Sequence, residues 1–349
     1  MDPARFPRAP YGPRFVDDVR QEPSMQRRTF MALVSGGLLA APLVAGAQPA
    51  GKVSRVGRLS PSVSEPTSFE AFKRGLEDRG WNLGRDLLLE PRWADEKPDR
   101  LTTFAAEMVN MKVDVIVALG DGAIEAARRA TSTIPIVMAV ATDAVERGFV
   151  ASLARPGSNL TGLSAFAPEL AGKRIQLLKE LVPSVRRVGV LSLPIAFHRS
   201  ELSRIETAAR SLDIGVRSIE VSQAQDFDRA VRVLAKDGID ALYVQPTASL
   251  TDPHRAQLAT LALRHRIPAM GAIAFYAESG FLLSYGANPR DWAYRSAYFV
   301  DRLLKGAKPA DLPVEQPTKF ELVINVKTAR ALGLTIPQSL LLRADEVIQ

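Results

Sequence analysis

The chain has 349 residues, 46% hydrophobic and 24% charged, with a formal net charge of +7 and no cysteine. That length accommodates two globular domains, and the absence of thiols excludes disulfides, a cysteine nucleophile and cysteine-held metal. His198, His254 and His265 lack the spacing of a zinc site, so no metal and no cofactor are expected. Residues 1–47 hold six Arg and four acidic residues, which leaves a surplus of five cations beyond them. Those cations, among them Arg128, Arg129, Lys173, Arg174, Arg186 and Arg187, are spread along helical stretches and not gathered with aromatics. Such spacing fits a solvated surface and not nucleic acid.

Residues 1–24 are rich in Pro, Arg and Asp without periodicity, as in an untranslated leader or a disordered extension, and Met25 reads as an alternative start. Beyond it come Arg27-Arg28, an apolar run over 30–44 broken by Gly36, Gly37 and Pro42, and then Ala45-Gly46-Ala47. That is the layout of an export signal cleaved after Ala47. The run is too short and broken to span a bilayer. RRTFM at 27–31 resembles the twin-arginine motif; an ordinary secretory signal with two arginines is the alternative. With no cysteine to carry a lipid, the mature chain is expected free in the periplasm.

A strand is expected over 53–59, ending at Ser60-Pro61, then a helix over 68–79 closed by Gly80, a strand over 87–93 and a helix over 99–111. Leu101, Phe104, Ala105 and Met108 recur on one face of that last helix, as core residues do. Residues 112–143 form the most informative stretch: an apolar strand over 113–119, a Gly-Asp-Gly turn, a helix over 123–130 and a second apolar strand over 134–140. Strands this apolar without alternation are buried on both faces, as in a parallel sheet. Ligands of such sheets bind beyond the carboxyl ends of the strands. There Gly120, Asp121, Gly122 and Ala123 open a helix whose free N–H groups favour an anion; plain turn chemistry accounts for the same residues. The turn lacks the third Gly and the downstream acid of a dinucleotide site and the Gly-Lys-Ser/Thr of a Walker loop.

A short helix is expected over 144–153, followed by the turn-forming RPGSNLTG at 155–162 and a helix over 168–181. The βα rhythm then restarts: strands at 187–193, 215–221, 241–245 and 267–270 alternate with helices at 200–212, 224–236 and 253–265. A strand over 281–285, a helix over 290–305, a Pro-rich extended stretch over 308–319, a strand over 320–325 and a helix over 327–332 capped by Gly333 complete the pattern, with 337–344 ending the fold.

Three stretches carry a resemblance: SLARPGSNLTGLS at 152–164 with APELAGKRIQLLKELVP at 167–183, the block LKGAKPADLPVEQPTKFELVINVKTARALGLTIPQSLLLRADEVI at 304–348, and the opening from the signal to Ser60. On these the chain resembles the bacterial ABC-transporter substrate-binding proteins of the tryptophan/tyrosine type. The resemblance implies a type I periplasmic-binding-protein fold, α/β, with two doubly wound parallel-sheet lobes joined by three crossings. Lobe one is expected over 52–160 plus 286–316 and lobe two over 163–282 plus 318–349, with crossings at 159–163, 282–285 and 314–318. It further implies a monomer that holds a small-molecule ligand between the lobes and delivers it to a permease in the inner membrane. The chain departs from the commoner pattern of the family at Asp121-Gly122, where Thr-Pro or similar is usual, and at residues 141–144, where Gly-Asp-Pro is more usual.

By the strand-end rule the candidate ligand contacts are Ser60, Gly120, Asp121, Gly122, Ala123, Thr142 and Asp143 in lobe one, and Ser192, Gln245, Thr247, Ser284 and Tyr285 in lobe two. Phe275 and Tyr276 could stack on a ring. Turn, cap, hinge and core roles are the alternatives for these residues. Asp121 and Asp143, at the ends of adjacent strands, are expected to face one cleft and to favour an amine or a hydroxyl donor, unless Asp121 only caps its helix. An enzyme on the same fold is disfavoured, since no G-x-S-x-G elbow is present. A ligand sensor docking on a receptor is the remaining alternative.

Overall fold

The computed structural model describes residues 53–62, 66–165, 169–247 and 249–349. The expected export signal lies outside them. Among the described residues no helix is long and apolar enough to cross a membrane.

The first lobe alternates β1 (Ser54–Ser60), α1 (Pro66–Glu77), β2 (Leu87–Trp93), α2 (Pro98–Asn110), β3 (Val115–Leu119), α3 (Gly120–Ala130), β4 (Ile136–Ala141) and β5 (Leu160–Ser164). The strands form a parallel sheet in the order β2-β1-β3-β4-β5. Its β-branched strands are buried on both faces, as their unbroken apolarity predicts. Leu101, Ala105 and Met108 of α2 and Ile124 of α3 cover one face, against Ile116 and Ile136. Phe72 and Leu76 of α1 cover the other, against Val56 and Val117.

The second lobe runs α4 (Glu169–Leu181), β6 (Arg187–Ser192), α5 (Ala196–Arg210), β7 (Gly215–Glu220), α6 (Phe227–Lys236), β8 (Ala241–Val244), α7 (Arg255–Arg264), β9 (Ala269–Gly271), α8 (Ala274–Glu278) and β10 (Leu283–Gly286). The chain then returns to lobe one as α9 (Pro289–Leu304), whose Ala297, Phe299 and Val300 pack with Phe72 and Leu76. The two helices approach closely at Gly75, where a Cβ would lie 2.7 Å from the Tyr294 carbonyl oxygen. A last passage into lobe two gives β11 (Glu321–Asn325), α10 (Val326–Leu332), α11 (Gln338–Leu341) and β12 (Glu346–Ile348). The second sheet has the order β12-β11-β10-β9-β8-β6-β7.

Several sequence expectations are corrected. Residues 159–163, expected as a crossing, fall largely in the edge strand β5, in register with β4. Gly162 there has φ +128° and a Cβ would meet the Met138 backbone, so the close pairing requires glycine. Residues 282–285, expected both within a strand and as a crossing, lie largely in the inner strand β10, paired with β9 and β11. The β10–β11 pair is antiparallel, so the second sheet is mixed and not wholly parallel. No helix forms over 144–153: the Asp143 carboxylate accepts the Val145 and Glu146 N–H groups and Gly148 turns left-handed at φ +66°. The chain therefore leaves the first sheet after Ser164, re-enters lobe one after Gly286, and departs again beyond Glu315, whose backbone pairs with Gly162 and Ser164.

Candidate functional site

The carboxyl ends of both sheets face one cleft of about 870 Å³. Lobe one supplies Pro61 and Ser62 after β1, Gly120, Asp121 and Gly122 after β3, and Thr142 after β4. Lobe two supplies Leu193 after β6, Pro246 and Thr247 after β8, and Ala272 and Ile273 after β9. Phe197, Phe275 and Trp292 add aromatic surface.

On the lobe-one wall, Arg58 is buried with its guanidinium carbon 5.3 Å from the Phe69 ring centre and 5.1 Å from that of Trp93. A guanidinium held over aromatic faces is attracted by their negative quadrupole and keeps one orientation. Asp121, on the first turn of α3, makes no cap there; its carboxylate accepts the Thr142 N–H at 3.0 Å and the Thr142 hydroxyl at 2.5 Å. The Arg147 guanidinium lies 3.3 Å from it. Asp121 thus ties the β4 exit loop to α3.

The lobe-two wall is a buried polar network. Arg174 of α4 donates from Nε to the Tyr285 carbonyl at 2.9 Å and from Nη1 to Glu201 Oε1 at 2.8 Å. Tyr243 donates to the same Glu201 oxygen at 2.9 Å, and Gln245 Nε2 donates to the other at 2.9 Å. Burial, reinforced by the Glu201 charge, holds the Tyr243 hydroxyl well above its ordinary pKa, so it remains a donor. His198, one turn before Glu201 on α5, is 1% exposed. Its Nδ1 accepts the Leu193 N–H at 2.8 Å, which places the proton on Nε2, beside the Pro246 carbonyl and the Thr247 hydroxyl. Desolvation lowers its pKa against the opposing pull of Glu201, so the ring is neutral at physiological pH.

The side chains of Glu278 and Glu96 meet partners across the lobes. Arg290, in the first turn of α9, meets Glu278 of α8 at 3.0 Å and lies over the Phe275 ring at 5.0 Å. Glu96, beyond β2, lies 3.7 Å from His254, just before α7.

Of the sequence candidates, Gly120, Asp121, Gly122, Thr142, Thr247 and Phe275 line the cleft together. Ser60, Ser192 and Gln245 do not: each is within 2% of full burial and ends or immediately follows a strand, and the next one or two residues reach the cleft instead. Ser60 Oγ accepts the Ser62 N–H, and Gln245 braces Glu201. Ala123 is a core residue of α3. Tyr276 is in the lobe-two core with its hydroxyl donating to Asp252 at 2.8 Å, because one helical step of α8 turns it away from Phe275. Ser284 is fully buried in β10, and Tyr285 is half-buried with its ring toward Phe320. Asp143 does not line the cleft; its carboxylate is spent on the 143–146 turn, so the expected pair of cleft carboxylates is not formed.

Sequence reasoning missed Arg58, Arg174, His198, Glu201, Arg255, Arg290 and Trp292, all of which line the cleft. Arg174 was expected on a solvated surface, yet it is 8% exposed. A signal existed: Ala171, Arg174, Ile175 and Leu178 share one helical face, and the other three are core residues.

The family described as ABC transporter substrate binding protein matches residues 62–348. The chain belongs to that family. It is 28% identical over 280 residues to a curated tyrosine-binding protein of Clostridioides difficile, covering 79% of this chain and 80% of the relative. Among solved structures, a conserved domain protein of Vibrio cholerae matches with a TM-score of 0.79 at 28% identity, covering 85% of this chain and all of the other. A Streptococcus pneumoniae ABC domain in complex with L-Trp matches with a TM-score of 0.78 at 26% identity, covering 84% of this chain and 99% of the other. The fold is that of the type I periplasmic binding proteins, and the chain is a substrate-binding protein of an ABC transporter that takes a small ligand.

Proposed function

We propose that this protein is exported to the periplasm, captures a small aromatic or otherwise largely apolar solute between its lobes, and delivers it to an inner-membrane importer without covalent chemistry. The observation that carries the reading is the shared cleft, built from strand ends of both lobes. A solute touching both walls favours the closed arrangement by its differential affinity for it. The volume lies within the range of small-molecule sites and exceeds what a single amino acid needs. Phe197, Phe275 and Trp292 offer the faces on which a ring would lie, and the relatives named for tyrosine and tryptophan support an aromatic solute. Mass spectrometry of small molecules released on denaturing the purified protein tests the reading. An aromatic solute that rebinds stoichiometrically and raises the unfolding temperature is expected. Failure to recover or rebind any small molecule would refute it.

A further inference from the structure

We propose that the carboxylate of an organic acid is the group this cleft recognises, that Arg255 receives it, and that no α-amine is required. The proposal rests on the solute-capture reading and narrows it to an aromatic or aryl-alkyl carboxylate.

Charge balance is the first argument. Seven Arg and Lys side chains line the cleft against five Asp and Glu. Each of the five acids is already engaged. Asp121 holds Thr142 and Arg147. Glu201 holds Arg174, Tyr243 and Gln245. Glu278 holds Arg290, Glu96 faces His254, and one Asp252 oxygen accepts from the Tyr276 hydroxyl and the Thr247 N–H. An incoming ammonium would have to compete with these partners for a counter-charge, in a wall that already carries excess positive charge. An incoming carboxylate relieves that excess.

Arg255 is the second argument. It lies at the start of α7, half-buried, with its guanidinium carbon 5.6 Å from the Phe275 ring centre. Nη1 donates to the Asp252 backbone carbonyl at 2.6 Å. Nε is buried and has no hydrogen-bond partner. A desolvated guanidinium N–H without an acceptor costs more than an ordinary lost hydrogen bond, and a planar guanidinium is a group shaped to meet a carboxylate. Phe275, held between Arg255 and Arg290, gives the acid's ring or chain an adjacent apolar face.

The test uses full-length mature protein stripped of bound solute, titrated calorimetrically with 3-phenylpropionate, L-phenylalanine, 3-phenylpropionamide and phenethylamine. The acid should bind at least as tightly as the amino acid, the amide at least about tenfold more weakly, and the amine not at all. Arg255→Ala should weaken the acid at least about tenfold and abolish its advantage over the amide. The comparison of acid with amide in the unaltered protein needs no variant to fold. Amino-acid binding tenfold tighter than the acid, equal affinity for acid and amide, or an undiminished acid preference in Arg255→Ala would each overturn the assignment. Binding of none of the four by a protein that had released an aromatic solute would overturn it too, while leaving solute capture standing.

Discussion

Removing either partner of the Arg174–Glu201 pair should cost far more than its share of removing both. The two side chains are only 10% and 8% exposed and meet at 2.8 Å. Glu201→Leu strands the Arg174 charge and leaves the Tyr243 hydroxyl and the Gln245 amide without their acceptor. Breaking one side of such a buried pair costs about 3–5 kcal/mol, and Arg174→Met should cost a similar amount by stranding Glu201. The double variant removes both charges and leaves only neutral groups short of a partner, at about 1–3 kcal/mol each. It should therefore be destabilised by roughly 2–6 kcal/mol, against roughly 6–10 for the sum of the single changes. Each single change should lower the unfolding temperature of lobe two by roughly 6–20 °C. All three tryptophans, Trp81, Trp93 and Trp292, lie in β2, in the turn before it or in α9, all parts of lobe one. Tryptophan fluorescence would miss the event, so differential scanning calorimetry is the assay. Additivity within about 0.5 kcal/mol, or single changes that leave the transition in place, would refute the argument.

The buried His198 makes a pH prediction. Its folded pKa lies below the ordinary value of 6.5, so the unfolded chain binds the proton more readily. The stability it contributes is full above that ordinary value and is lost as pH falls from there through the folded value; His198→Gln should flatten this part of a melting-temperature profile. Gly162→Ala should lower stability by at least about 3 kcal/mol, since φ +128° is strained for alanine and the added Cβ has the Met138 backbone nitrogen at 2.7 Å; urea unfolding would show it, and a shift below about 1 kcal/mol would contradict it. N-terminal sequencing of periplasmic protein should begin at Gln48, and changing both Arg27 and Arg28 to Lys should stop export if the twin-arginine route is used.

Long apolar strands separated by amphipathic helices made most of the fold legible, and β2 was expected at its observed bounds, 87–93. What the sequence concealed depends on distant partners. β12 has three residues and exists through pairing with β11. The five residues of α8 are too few to show a helical period. At the site, the rule that ligands meet strand ends placed the cleft correctly, but it does not say which residue is the last to stay in the sheet, so Ser60, Ser192 and Gln245 fell just short. The arginine-rich wall was hidden because Arg174 and Glu201 are 27 positions apart and become partners only when α4 and α5 pack.

The packing of α9 on α1 has a consequence for how the chain is made. Phe72 is synthesised early, whereas its partner Phe299 follows more than two hundred residues later. At about 5–20 residues per second, a ribosome needs roughly 10–50 s to cover that interval. Throughout it the sheet face beneath α1 lacks part of its cover, and a chain cut short after β10 would carry that apolar surface into solution. Lobe one starts first on the ribosome but stays incomplete until α9 is made, so the nascent protein presents a sticky, half-closed domain to chaperones for most of its synthesis.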